Sequence, residues 1–118
     1  MMQIQLKRAY EKPSRSDGCR VLVDAIWPRG VSKKDAKIDY WLKDIAPSAA
    51  LRKWFSHDAK KWQDFKQSYA RELDSHPEAV AQLLTLTKKG NVTLIFAARE
   101  RAFNNAVALK DYLERRFQ

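Results

Sequence analysis

The sequence predicts a small single α/β domain: a short, mostly parallel sheet of about three strands packed by five to six helices. Three observations carry that expectation. Residues 20–30 (RVLVDAIWPRG) and 92–98 (VTLIFAA) hold the chain's two continuous apolar, β-branched runs, the kind that fill strands buried on both faces. Between them, residues 31–91 carry helical patterns over a length sufficient for a crossover, so the two strands are expected to be parallel. Residues 2–8 (MQIQLKR) alternate Met2, Ile4 and Leu6 with polar neighbours, the period of a half-buried strand.

In chain order, residues 10–18 (YEKPSRSDG) read as an exposed loop, too short for a full crossover helix, which leaves the placement of the first strand open. Cys19 opens the second strand as a small hydrophobe. Val21, Leu22, Val23, Ala25 and Ile26 are expected to be buried along it, with Asp24 interrupting the run and Trp27-Pro28-Arg29-Gly30 ending it. Ser32 can cap a short turn, and residues 39–45 (DYWLKDI) suggest a short helix stopped before Pro47. Ser48 can cap the next helix, with Leu51, Trp54 and Phe55 on one face. Asp58 is the expected cap of a longer helix whose stripe is Trp62, Phe65, Tyr69 and Leu73. All four tryptophans, Trp27, Trp41, Trp54 and Trp62, are assigned to the core. Pro77 suits the first turn of a helix carrying Val80, Leu83 and Leu84 and ending at Gly90. After the second apolar strand, residues 99–103 form a polar turn. Asn104 or Asn105 then caps a last helix with Ala106, Leu109, Leu113 and Phe117 on its inner face.

Composition bounds the function. A length of 118 residues suits one domain, residues 1–118, and one cysteine allows no internal disulfide, as in a reducing compartment. The first residues lack the apolar core of a signal peptide, and no apolar run approaches the ~20 residues of a membrane span. A cytoplasmic protein without a membrane partner is the expectation. The 23 Lys and Arg against 14 Asp and Glu give a net charge of +9, shared almost evenly between the two halves of the chain. That balance favours acidic partners: small anions or nucleic acid. Neither common nucleotide fingerprint, GxGxxG or GxxxxGK[ST], is present, and no GxSxG elbow is found. Two histidines and one cysteine at scattered positions make no zinc site, so neither a metal nor a cofactor is expected.

If the two apolar strands are parallel, their C-terminal ends share one edge of the sheet, where ligands of open α/β folds bind. Two loops would meet there, residues 27–30 and 99–105. Asp24 is the candidate general base, since burial can raise a carboxyl pKa toward neutrality; its structural alternative is to fix the loop by pairing with Arg29 or by accepting backbone N–H bonds. Trp27, Arg29, Gly30, Arg99, Asn104 and Asn105 are the candidate ligand contacts, Asn105 ahead of Asn104 because one helix needs only one cap. Lys43, His57 and Asp58 are secondary candidates, with capping and packing the simpler roles for the last two.

The run VD-x-x-WPRG at residues 23–30, then WLK-x-x-APS, LRKWF-x-HD and NNA, resembles the YeaO-like family, domain of unknown function 488. The resemblance spans nearly the whole chain and implies a small cytosolic bacterial α/β domain without an assigned reaction. Its pattern falls here on Asp24, Trp27, Pro28, Arg29, Gly30, Trp41, Lys43, Trp54, Phe55, His57, Asp58, Asn104 and Asn105. It also implies an arginine where this chain has Ala25, which removes a second guanidinium from beside Asp24. Two function classes follow. One is a binder of, or enzyme on, a small anionic ligand (a nucleotide or phosphate ester) at the strand edge. The other is a nucleic-acid-binding or regulatory module using its basic surface, with Lys33, Lys34 and Lys37 as contacts. A weaker third is an adaptor that offers exposed aromatics to another protein.

Overall fold

The computed structural model describes residues 2–117. The chain runs β1 (Ile4–Arg8), β2 (Cys19–Leu22), α1 (Lys33–Ala36), β3 (Tyr40–Trp41), α2 (Ala49–Phe55), α3 (Trp62–Asp74), α4 (Pro77–Lys89), β4 (Val92–Phe96) and α5 (Asn105–Phe117). Short 3-10 turns cover Arg15–Asp17, Lys43–Ile45 and Ala59–Lys61. All pairings are parallel, in the order β1-β4-β2-β3. The last strand in sequence therefore lies inside the sheet, with Ile4–Arg8 of β1 against Val92–Phe96 on one side and Cys19–Leu22 of β2 against Val92–Ile95 on the other. The parallel relation of the two apolar strands is as the sequence suggests, and the position of β1 beyond β4 settles what its loop left open.

The two faces of the sheet are covered differently. Val21, Val23, Val92, Leu94 and Phe96 point to one side and pack with Phe65, Tyr69, Leu83, Leu109 and Leu113 of the long helices. The α3 stripe follows its sequence spacing, with Trp62, Phe65, Tyr69 and Leu73 all buried. On the other side Leu22 and Ile95 are covered by Ala9, Trp27, Ile38 and Trp41, all from connecting segments or the edge strand. A face closed largely by loops needs polar anchoring, because loop backbone cannot satisfy itself as a helix does.

That anchor is Asp17. Residues 10–18 are not simply an exposed loop: Asp17 is only 1% exposed. Its carboxylate accepts from Lys7 Nζ and Arg20 Nη1, both at 2.7 Å, and from the Ser14 N–H at 2.9 Å. The Asp17 carbonyl accepts from Thr93 Oγ1 in the central strand at 2.7 Å. Arg20, also buried, donates through Nε and Nη2 to the Ala36 carbonyl at 3.1 and 2.9 Å. One guanidinium thus ties both loop layers to β2. Gly18 completes the approach. Its φ is +63°, and a Cβ there would lie 2.4 Å from the Asn91 carbonyl oxygen, so only glycine lets the loop pass β4.

Four local expectations are corrected. Phe117, expected on the inner face of the last helix, is 49% exposed at the end of α5. Residues 39–45 are not a helix. The Asp39 carboxylate accepts the Arg20 N–H and the Asp39 N–H donates to the Arg20 carbonyl, both at 2.8 Å, which draws Tyr40–Trp41 onto the edge of β2. Only Lys43–Ile45 then turns, before Pro47. Ile26 is 68% exposed rather than buried, because β2 ends at Leu22 and the chain has already left the sheet. Trp54 is 43% exposed rather than core, and lies on the outside of α2 with Lys61 Nζ over its ring at 5.0 Å. Among the described residues, no helix is long and apolar enough to cross a membrane.

Burial raises the Asp17 pKa, but Lys7, the Ser14 N–H and Arg20 outweigh it and bring the group from 3.8 down to about 2. A depressed carboxyl contributes its stability above the unfolded value and loses it as pH falls toward the folded one, here about 2 kcal/mol. Asp17→Ala leaves Arg20 buried without its partner and is expected to cost about 3–5 kcal/mol at neutral pH in urea unfolding. The variant should also lose the acid-side decline that Asp17 gives the wild type. A cost under ~1 kcal/mol would show that the loop layer does not rest on this pair.

Candidate functional site

Segments that follow all four strands converge on one cavity of about 410 Å³. Tyr10 follows β1, residues 24–29 follow β2, Ala46 and Pro47 follow β3, and Ala97 and Ala98 follow β4. Arg52, Phe55 and His57 come from α2 and its end, Phe65 from α3, and Asn104 and Asn105 from the start of α5. This is the C-terminal edge of a parallel sheet, the place where such folds leave a crevice. The volume falls within the ~300–1,000 Å³ of small-molecule sites.

Asp24 is held between β2 and β4. Its Oδ2 accepts the Ala97 N–H at 2.9 Å and its Oδ1 accepts from Asn105 Nδ2 at 3.0 Å. The same Nδ2 donates to the Val23 carbonyl at 3.2 Å, and the Trp41 indole donates to the Asp24 carbonyl at 2.8 Å. Among the described residues no cation, Arg29 included, forms an ion pair with this carboxylate; of the two structural alternatives it is the backbone N–H bond, from Ala97, that is present. Burial therefore pushes the Asp24 carboxyl above its usual value, against the opposing pull of Asn105, the Ala97 N–H and the Arg52 charge.

The surrounding loops are fixed by their own bonds. Trp27 Nε1 donates to the Val31 carbonyl at 2.6 Å, and its ring meets Trp41 edge-on at 5.4 Å. Gly30 turns the loop with φ +80° and does not line the cavity. Tyr10 Oη donates to the Arg29 carbonyl at 3.0 Å, leaving the exposed Arg29 side chain at the rim without an ion pair among the described residues. Arg8 donates to the Ala97 and Ala98 carbonyls at 3.1 and 2.8 Å and so holds the β4 exit.

The two asparagines divide their work. Asn104 is the cap of α5: its Oδ1 accepts the Val107 N–H at 3.0 Å and its Nδ2 donates to the Glu100 carbonyl at 2.7 Å. Asn105 holds Asp24. Of the remaining candidates, His57 lines the cavity, placed there by two successive left-handed residues, Ser56 (φ 44°) and His57 (φ 58°). Asp58 instead caps the next turn, accepting the Lys60 N–H at 3.0 Å. Lys43 sits over the Trp41 ring at 4.1 Å, outside the cavity. Arg99 is exposed away from it, and Arg101 pairs with Glu11 at 3.3 Å.

Arg52 is the residue the sequence reading missed. It lies one position beyond Leu51, which the helical spacing puts on the inward face, and the sequence analysis assigns Arg52 no role. Its Nε donates to the Pro47 carbonyl at 3.2 Å, which lays the side chain along the cavity wall. Among the described residues, no group of three or more His, Cys, Asp or Glu is placed to hold a metal.

The unfolded Asp24 carboxyl ionises near 3.8 and the folded one higher, so rising pH deprotonates the unfolded chain first. Stability contributed by this group therefore falls as pH climbs from 3.8 through the folded value, then levels. Asp24→Asn removes that titration and is expected to gain stability relative to wild type from acid to neutral pH, read by denaturant unfolding at a series of pH values. A difference that does not change with pH would contradict the raised pKa. Asn104→Ala, which removes the cap and the bond to the Glu100 carbonyl, should cost about 1–2 kcal/mol with the Asp24 titration unchanged.

Comparison with known proteins places this geometry in a family. Residues 3–118 match the family profile described as the inactive DUF488-N3 subclade. The chain is 40% identical over 112 residues to the uncharacterized protein YeaO of Escherichia coli K12, covering 95% of this chain and 97% of that one. It is 39% identical over 114 residues to the uncharacterized protein Rv3073c of Mycobacterium tuberculosis H37Rv, covering 97% and 96%. The uncharacterized protein Mb3100c of Mycobacterium bovis stands at the same 39% over 114 residues. No solved structure matches the chain significantly. With its sequence matched from end to end and its relatives aligned at nearly full length, the chain belongs to the DUF488-N3 subclade of YeaO-like bacterial proteins.

Proposed function

We propose that this protein binds a small anionic ligand, a nucleotide or another phosphate ester, in the cavity at the C-terminal edge of its sheet. The observation that carries this is the convergence of four strand exits on one cavity. There a half-buried carboxylate, Asp24, and two guanidinium groups, Arg52 and Arg29, stand among the apolar walls of Trp27, Pro28, Phe55 and Phe65. Such a combination of apolar walls and a few converging polar groups is the usual make-up of a ligand site. Arg52 and Arg29 supply the charge for a phosphate, and planar guanidinium groups suit its oxygens.

Binding is favoured over catalysis. The raised pKa of Asp24 would suit a general base, but the matched subclade is described as inactive. On this reading Asp24 accepts hydrogen bonds from the ligand, as a sensor or carrier would require. The net charge of +9 favours a second reading, a nucleic-acid-binding surface that includes the exposed Lys33, Lys34 and Lys37.

Thermal-shift measurements with mononucleotides, pentose phosphates, pyrophosphate and short oligonucleotides at low and moderate salt separate the two. A mononucleotide at 100 times its dissociation constant is expected to stabilise the wild type by about 2.7 kcal/mol, and to do so at both salt concentrations. Arg29→Ala, at a side chain with no hydrogen bond or ion pair among the described residues, should weaken that effect, and Arg52→Lys should weaken it further. Stabilisation by oligonucleotides alone, erased at moderate salt and indifferent to Arg29→Ala, would overturn the cavity in favour of the basic surface.

A further inference from the structure

We propose that the cavity has two chemically opposite ends. Asp24 and Asn105 receive two adjacent N–H or O–H donors of a nucleoside, and Arg52 and Arg29 receive its phosphate. This rests on the ligand-binding reading above and goes beyond it by assigning which part of the ligand goes where.

The assignment comes from accounting for each polar side chain on the cavity wall. Each Asp24 oxygen accepts one bond from the protein, one from Asn105 and one from Ala97. A carboxylate has roughly four acceptor positions, so about two remain. Both hydrogens of Asn105 Nδ2 are already used, on the Val23 carbonyl and on Asp24, which leaves Oδ1 as what this amide can still offer. Asn104, itself buried, uses its Oδ1 on the Val107 N–H and one of its two Nδ2 hydrogens on the Glu100 carbonyl. The Trp27 indole and the Tyr10 hydroxyl hydrogens are committed to the Val31 and Arg29 carbonyls. Around Asp24, then, the side chains present acceptors. A second acceptor group brought there, such as a phosphate, meets repulsion rather than a partner.

The unused side-chain donors lie elsewhere on the wall. Arg52 engages only its Nε with the protein, so its two Nη groups are uncommitted among the described residues. The Arg29 side chain and His57 are both exposed at the rim. Phe55, Phe65, Pro28, Pro47 and Trp27 also line the cavity and supply surfaces suited to a flat ring. A guanine edge offers two adjacent donors, its ring N–H and its exocyclic amine, at a spacing that a carboxylate accepts side by side. A ribose diol offers the same pair of donors from the sugar. The apolar walls favour the base.

The test is isothermal titration of the wild type with GMP, IMP, AMP, dGMP, ribose 5-phosphate and pyrophosphate, repeated with Asp24→Asn. Wild type is expected to bind GMP and dGMP alike, and at least tenfold tighter than IMP, which has one donor fewer, or AMP, whose edge pairs one donor with one acceptor. Asp24→Asn exchanges one acceptor for a donor, so it should lose the GMP preference over IMP and AMP. Its folding is checked by the pH series above. Tight GMP, IMP and AMP with weak dGMP would place the diol on Asp24 and still uphold the two-ended site. Equal binding of all six, pyrophosphate included, would overturn the donor assignment while the anion site stands. No binding by any of them would overturn both.

Discussion

The Asp17–Arg20 pair is the constraint on which the arrangement of this small domain depends. A parallel sheet needs cover on both faces. Here the long helices supply one face only, and the other is closed by loop segments and the edge strand. Buried ion pairs seldom add much net stability, yet losing one partner is expensive, so the pair acts as a specifier of geometry. Arg20 reaches Asp17 in one loop layer and Ala36 in the other, and both layers are thereby registered to β2. The exit of β2, and with it Asp24, is positioned as a consequence.

The two buried or half-buried aspartates make an instructive contrast. Asp17 is nearly inaccessible but has two cations within 2.7 Å, and its pKa falls to about 2. Asp24 is less enclosed but is held only by an amide and a backbone N–H, and its pKa rises. The environment, not the residue type, separates a structural carboxylate from one still able to interact with a ligand. The first has its acceptor positions filled by the protein; the second retains some, facing a cavity.

Much of the frame was legible because it rests on local pattern. The runs VLV and VTLIF announce strands, and the Trp62, Phe65, Tyr69, Leu73 spacing announces the α3 core face. Asn104 and Asn105 could be told apart in role by the capping argument, since one helix start uses one side chain. What escaped depends on contacts distant in sequence. Asp17 looked like a loop residue because Lys7, Arg20 and Thr93 meet it only once the sheet has formed. Tyr40–Trp41 carry helix-compatible spacing, and the vacant edge of β2 overrides it. Trp54 departs from its expected core place, and Arg52 escaped notice, for the same reason: α2 turns its Arg52 edge toward the cavity and leaves the indole outside.

The order of the sheet has a consequence for how the chain is made. β4, the strand that joins β1 to β2, begins at Val92 of a 118-residue chain. During synthesis β1 and β2 emerge early and wait without their shared neighbour while most of the polypeptide is translated. The sheet cannot close until residues 92–96 have emerged, so its assembly rests on contacts far apart in sequence. The nascent chain meanwhile carries unpaired strand edges, a state that attracts chaperones or aggregation partners. Truncation before β4 would therefore leave β1 without a partner and β2 with only the two residues of β3.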